Sequence, residues 1–188
     1  EETVEKGGMK IITTLDWPLQ EIAERVVKEG AERNEELYKG KNAALVAQDA
    51  KTGQVLGLVG SRDYFDIKND GNFNVASQGL RQPGSAFKPF AYVTAFKKGY
   101  SPETVIFDLP TEFDASGDPL KSYQPENFDQ KFRGPINFRQ ALAQSINIPA
   151  VKVLYLTSID DTLKTAQDFG ITTLKERSRY GLSLVLGG

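Results

Sequence analysis

The apolar positions along this chain change period several times, and each change marks an element. Residues 9–15 are dense in β-branched side chains and predict a short strand. Asp16 follows as a helix N-cap, with Pro18 in the first turn. The pattern beyond it predicts a helix to about Tyr38, with Ile22, Ala23, Val26 and Leu37 as the apolar stripe. Two apolar runs, 43–49 and 54–60, flank Ala50-Lys51-Thr52-Gly53 and predict a hairpin in which Gly53 takes a positive φ. Residues 61–82 are rich in Asn, Asp and Gly and predict an ordered loop. Helical signals resume at Ser85 and run to about Lys98, with Gly99 as a cap. Residues 101–134 hold several Pro and Gly and only short apolar pieces, and so long a connection points to a functional surface. Helices are predicted at 138–143, 150–156 and 160–169, the last closed by Gly170, ahead of an apolar tail at 182–188. Residues 1–8 are charged, end in Gly7-Gly8 and read as a linker or frayed end.

This order is α+β. Two hairpin strands and one short strand make a poor sheet for 188 residues, so the sheet is expected to be incomplete. The length suits one domain with a real core, and 39% hydrophobic with 26% charged residues argues against disorder. A net charge of −2 without a basic stripe speaks against nucleic acid as a partner. No apolar run approaches the ~18 residues that cross a bilayer. No secretory signal opens the sequence, so any targeting segment is expected to lie outside it.

Two absences narrow the chemistry. With no Cys there is no disulfide framework, thiol nucleophile or thiolate metal site, although this fits either redox compartment. With no His, a Ser-His-Asp triad and a histidine-ligated zinc are excluded. A hydrolase or acyltransferase built on this chain takes its base from Lys, Glu, Asp or Tyr. No metal or organic cofactor is suggested.

The most informative segment is Arg81-Gln82-Pro83-Gly84-Ser85-Ala86-Phe87-Lys88-Pro89-Phe90. Pro89 is tolerated only in the first turn of a helix, so helical structure begins near Gly84 or Ser85. Ser85 then sits at a helix N-terminus with Lys88 one turn later on the same face. There the backbone N–H can meet a developing oxyanion, and a desolvated amine at i+3 can act as a base. A Ser-x-x-Lys spacing alone arises about once by chance in a chain this long, and a solvated helix lysine explains it equally well. Ser145-Ile146-Asn147 is the second candidate: the hydroxyl can relay a proton and the amide can hold a carbonyl. An N-cap serine and a turn asparagine account for the same tripeptide, with Pro149 limiting helix at Ile148. Lys51-Thr52-Gly53 matches a motif of penicillin-recognising enzymes, but its place between two apolar runs assigns it to turn chemistry.

Together these segments resemble the class A penicillin-binding proteins, the bifunctional peptidoglycan synthases. Thr13-Thr14-Leu15-Asp16 with Leu19-Gln20 resembles the start of their transpeptidase region, just after the glycosyltransferase. The stretch from Asp49 to Leu56 resembles the family's first sheet hairpin. The ten residues around Ser85 are similar to the nucleophile segment. Tyr123-Gln124-Pro125-Glu126-Asn127, the stretch from Ala141 to Val151, and residues 182–188 continue the resemblance in order.

The resemblance implies an antiparallel sheet with helices of the serine β-lactamase and penicillin-binding transpeptidase type. Residues 1–15 would be linker and first strand, and 16–188 the front part of the transpeptidase domain. It implies that Ser85 attacks the penultimate D-Ala of a peptidoglycan stem peptide ending in D-Ala-D-Ala, and that β-lactams trap the same serine. Lys88 would be the acylation base, Ser145 would shuttle the proton, and Asn147 would orient the acyl amide. A parent chain anchored on the extracytoplasmic face of the bacterial membrane, with a glycosyltransferase domain, follows from the same resemblance. One departure stands out: no Lys-Thr-Gly or Lys-Ser-Gly strand follows Asn147, and the expectation is a fragment lacking the C-terminal half of its domain. Two alternatives remain: a D-Ala carboxypeptidase or β-lactamase, in which water resolves the acyl-enzyme, and a binding module that is acylated without turnover.

Overall fold

The computed structural model describes residues 6–113 and 122–188, and its chain divides into two compact units, Glu1–Arg81 and Gln82–Gly188. Of the long connection expected at 101–134, residues 114–121 lie outside the described residues, as do residues 1–5 of the expected linker.

In the first unit, helix α1 (Trp17–Tyr38) starts where Asp16 accepts from the Leu19 N–H at 3.1 Å, with Pro18 in the first turn. Its end is closed by Lys39 in the left-handed region, whose N–H reaches back to Asn34 and Glu35. Strands β1 (Leu45–Gln48) and β2 (Val55–Val59) pair antiparallel, Leu45 opposite Val59 and Ala47 opposite Gly57. In the turn between them Asp49 Oδ1 accepts from the Lys51 and Thr52 N–H groups, and Gly53 has φ +73°. That is the hairpin and the turn role expected for Lys51-Thr52-Gly53.

Two expectations fail here. Residues 9–15 form no strand; the segment is exposed and meets β2 only through Thr14 Oγ1 to the Val55 carbonyl and the Asp16 N–H to the Leu56 carbonyl. β-Branching favours extended backbone but does not supply a ladder. The buried stripe of α1 is Gln20, Ala23, Val27 and Ala31, while Ile22, Val26 and Leu37 are exposed. The cause is Gln20, whose amide donates to the Leu58 carbonyl at 3.0 Å and accepts from the Leu58 N–H at 2.8 Å. That side chain extends the β2 edge, and the alanines let the helix lie close to the hairpin.

The second unit opens with a 3₁₀ turn (Gly84–Phe87) that runs into α3 (Lys88–Lys97); a one-turn helix α2 (Val75–Gln78) closes the first. Strands β3 (Val105–Asp108) and β4 (Gly134–Asn137) form a second antiparallel pair. Then come α4 (Phe138–Ala143), α5 (Asn147–Thr157), α6 (Ile159–Asp168) and a final 3₁₀ segment (Leu182–Leu186). Helix α5 buries Ile148, Pro149, Ala150, Val151, Val153, Leu154 and Thr157, so it is apolar nearly all round. It packs against α3, α6 and the final 3₁₀ segment, in a core that also holds Phe87, Ala91, Tyr92, Phe138 and Val185. Among the described residues the strands make two two-stranded sheets, and the fold is α+β with the sheet deficit the sequence implied.

Strand β3 was not foreseen, because its inward positions are Ile106 and the carboxylate Asp108, a pairing that hides the alternation. Helix α5 also starts earlier than the expected residue 150. Pro149 falls within the first turn, where its missing N–H is no loss, so it does not limit the helix at Ile148.

Candidate functional site

Pro83 and Pro89 bracket a turn too short for a regular α-helical start. Ser85 occupies the 3₁₀ turn, where its carbonyl accepts from the Lys88 N–H, and Pro89 stands at the second position of α3. Three residues per turn eclipse side chains at i and i+3, so this geometry sets Ser85 and Lys88 on one side. Ser85 is exposed at the rim, whereas Lys88 is 1% exposed. The turn is backed by the chain's last residues. Gly187, with φ +82°, lies so close that a Cβ there would stand 2.1 Å from the Gly84 nitrogen and 2.3 Å from its Cα. Only a glycine fits at that approach.

Ser145 closes α4. Its N–H bonds to the Leu142 carbonyl and the Ile146 N–H to that of Ala141, the paired bonds of a Schellman motif. The residue at its left-handed position is usually glycine; here it is Ser145, with φ +52°. A non-glycine residue in that region costs on the order of 1–3 kcal/mol and tends to occur where function needs it. The sharp reversal brings both the Ser145 carbonyl and its hydroxyl to Lys88. Ser145 is therefore not the N-cap of the next helix; that position is Ile146, which has no capping side chain.

The Lys88 ammonium group meets three oxygens: the Ser145 carbonyl at 2.6 Å, Ser145 Oγ at 3.1 Å and Asn147 Oδ1 at 2.7 Å. None is a carboxylate. Burial is thus not repaid by an ion pair, and desolvation brings the Lys88 pKa down to about 8. The neutral amine has two hydrogens for the two carbonyl oxygens, which leaves its lone pair toward Ser145 Oγ. Asn147 is oriented by its own amide, since Nδ2 donates to the Glu126 carbonyl at 2.9 Å and Oδ1 must then face Lys88. Ser85, Lys88, Ser145 and Asn147 thus lie in one unit, three of them in one hydrogen-bonded cluster.

Asn127 carried no role in the sequence reading. Only 4% exposed, it accepts from the N–H groups of Asn147 and Ile148 at 3.2 and 3.1 Å. Its Nδ2 donates to Asp108 Oδ1 at 2.7 Å and to the Lys131 carbonyl at 2.8 Å. A buried asparagine on a polar loop gives no periodic signal. Gly187 was legible only as part of a glycine pair.

A cavity of about 160 Å³ lies beside Ser145, lined by Asn127, Phe128, Asp129, Arg133 and Gln144, and Phe128 is fully exposed there. The larger cavity, about 830 Å³, lies in the first unit between α1, β2 and the Ser61–Asn74 stretch and contains none of these residues. The sequence-predicted residues come together through hydrogen bonds and not in the larger cavity. Among the described residues no group of three or more acidic side chains is placed to hold a metal ion, and no helix is long and apolar enough to cross a membrane.

Residues 43–183 match the penicillin binding protein transpeptidase domain. The chain is 37% identical over 174 residues to penicillin-binding protein 2D of Bacillus subtilis, covering 91% of this chain and 24% of that protein. It is 42% identical over 144 residues to penicillin-binding protein 1A of Neisseria flavescens, covering 77% of this chain and 18% of the relative. The crystal structure of penicillin-binding protein 1A from Haemophilus influenzae superposes with a TM-score of 0.66 at 35% identity, over 78% of this chain and 21% of that one. The chain therefore spans a quarter or less of the length of these proteins. The matched stretch takes in the Ser85 turn, the Ser145 reversal and the entry to α5, and this chain belongs to the penicillin-binding protein transpeptidase family.

Proposed function

We propose that Ser85 is the acyl-accepting nucleophile of a D,D-transpeptidase that cross-links peptidoglycan stem peptides, and the residue β-lactams acylate. The observation that carries this is the buried Lys88 amine, without an acidic partner among the described residues and held against Ser145 and Asn147. A lysine with a pKa of about 8 keeps roughly a tenth of its population as free base at pH 7, enough to accept a proton.

The Ser85 oxygen attacks the carbonyl carbon of the penultimate D-Ala, and its proton passes by way of Ser145 Oγ to the Lys88 Nζ lone pair that faces it. The Ser85 N–H, in a first turn without an intrahelical acceptor, donates to the developing oxyanion. The proton then moves from Lys88 through Ser145 Oγ to the departing amide nitrogen, the C–N bond breaks, and D-Ala leaves. An amine of a second stem peptide attacks the Ser85 ester and loses its proton along the reverse route; the new amide forms and Ser85 regains its hydrogen. Asn147 holds the acyl amide during both steps. Residues beyond this chain would complete the wall opposite Ser85. A membrane-anchored parent with a glycosyltransferase domain on the extracytoplasmic face would supply the glycan strands.

A β-lactamase needs an added carboxylate that activates water, and the side-chain partners of Lys88 and Ser145 among the described residues include none. Whether water or an amine resolves the acyl-enzyme separates a D-Ala carboxypeptidase from a transpeptidase. The test is incubation of the intact protein with a stem peptide ending in D-Ala-D-Ala plus an amine acceptor, read by mass spectrometry. The expected result is a cross-linked product that Ser85→Ala or a penicillin abolishes. Release of D-Ala with hydrolysed peptide as the sole product would assign a carboxypeptidase instead.

A further inference from the structure

Helix α5 enters the site without a cap of its own, yet its first two N–H groups are satisfied by one side chain twenty residues earlier. Asn127 Oδ1 accepts from Asn147 N and Ile148 N, and the neighbouring Glu126 carbonyl accepts from Asn147 Nδ2. Two consecutive residues of the 126–127 segment therefore grip Asn147 by its main chain and by its side chain. Every bond in the set has one possible direction. Backbone N–H groups only donate, while a carboxylate and a carbonyl only accept, so Asn127 Oδ1 faces α5 and Nδ2 faces Asp108 and Lys131.

Asp108 anchors the grip. It is fully buried at the end of β3, its Oδ1 takes the Asn127 amide, and its Oδ2 accepts from the Arg133 N–H at 3.0 Å, with the Arg133 guanidinium 3.5 Å away. The loop that follows Asn127 is thus folded around a single carboxylate, and the β3–β4 pair is tied to the entry of α5. Nothing in this chain of contacts touches Ser85 or Lys88 directly. Its effect reaches Lys88 through Asn147, whose Oδ1 is one of the two carbonyl oxygens that define where the amine's hydrogens go.

We infer that Asn127, anchored by Asp108, is a positioning residue: it fixes Asn147 so that the Lys88 lone pair is left toward Ser145. The inference rests on the transpeptidase reading above. A helix cap alone would stabilise α5 but leave the chemistry of the folded protein unchanged. A positioning residue changes the rate constant and does so only while Asn147 is present.

The experiment is a double-mutant cycle on acylation by a fluorescent penicillin in the intact protein, with Asn127→Ser, Asn147→Ala and the pair. Acylation rate constants are normalised to the labelled fraction at saturation, and thermal midpoints are recorded alongside. The expected result is a loss of about tenfold or more for Asn127→Ser per labelled site, and no further loss in the Asn147→Ala background. Should Asn127→Ser fail to fold, the near-isosteric Asp108→Asn carries the same cycle, with a smaller loss of the same pattern. Rates within about twofold of wild type per labelled site, or losses that multiply in the double variant, overturn the proposal. Ser85→Ala run in parallel separates the two readings. Label retained by Ser85→Ala overturns the nucleophile assignment, whereas label lost there beside a silent Asn127 variant overturns the positioning role alone.

Discussion

The two units of this chain solve the burial of a helix differently. In the first, α1 meets its hairpin through a glutamine amide and small side chains, and the buried apolar positions that cluster there are Ala23, Val27 and Val59. In the second, α5 is buried on most of its surface in a core that holds Phe87, Tyr92, Ala95, Phe138 and Val185, with Tyr155 and Leu156 left exposed. The difference matters because a lysine loses its charge readily only where water is excluded and no carboxylate answers it. The thick core supplies that dryness around Lys88; the thin one could not.

The comparison is broken most severely at Lys88. Lys88→Met keeps the stem and removes the proposed base, so acylation by a penicillin should fall by about 10²–10⁴-fold while the fold persists. In the unmodified protein the acylation rate should climb roughly tenfold per pH unit up to about 8 and level off above it, because the free base is the active form. The stability contribution has the same sign: burial lowers the folded-state pKa below the ordinary lysine value, so the penalty for holding Lys88 charged is relieved as pH rises through about 8 and beyond. A flat profile would show that Lys88 is not the titrating base.

Core truncation sharpens the contrast next. Phe138 is 1% exposed and stacks edge-on to Tyr92 with ring centroids 5.4 Å apart, so Phe138→Ala should cost about 3–5 kcal/mol of stability in denaturant melts. Val27→Ala in the first unit should cost only about 1–2 kcal/mol, the worth of its few buried methyl groups. Equal losses would mean that the first unit is packed as well as the second.

Gly187→Ala tests the backing of the turn that carries Ser85. A Cβ 2.1 Å from the Gly84 nitrogen forces the Gly84–Phe87 turn to shift, and misplacement by about 1 Å can cost up to ~100-fold in rate. The expected signature is slower acylation with little change in fold. The smallest effect is at Tyr92, whose buried hydroxyl has no hydrogen-bond partner among the described residues and whose phenol pKa burial pushes up. Tyr92→Phe should raise stability by about 1 kcal/mol, since it removes an unpaid desolvation.

Much of this was legible in the sequence, for identifiable reasons. Asp16, Pro18 and Gly53 state their local geometry directly, and the helix and hairpin they bound formed as expected. Pro89 located the turn that carries Ser85, although the turn is 3₁₀ and α3 begins three residues later. Harder to read were features in which a polar side chain does the work of an apolar one. Gln20 rotates α1 away from its most hydrophobic face, and Asp108 conceals β3. Asn127 caps a helix from twenty residues away, a contact no local pattern encodes. Ser145 in a glycine's position is of the same kind, since composition cannot reveal a left-handed backbone.

The central claim is that the exposed Ser85, one turn before the buried Lys88, is the site of acylation. Intact mass spectrometry of the whole protein after exposure to a penicillin, followed by peptide mapping, addresses it most directly. The account predicts one adduct per chain, on the peptide containing Ser85, and none in Ser85→Ala. An adduct on another residue, or one that survives in Ser85→Ala, would contradict it.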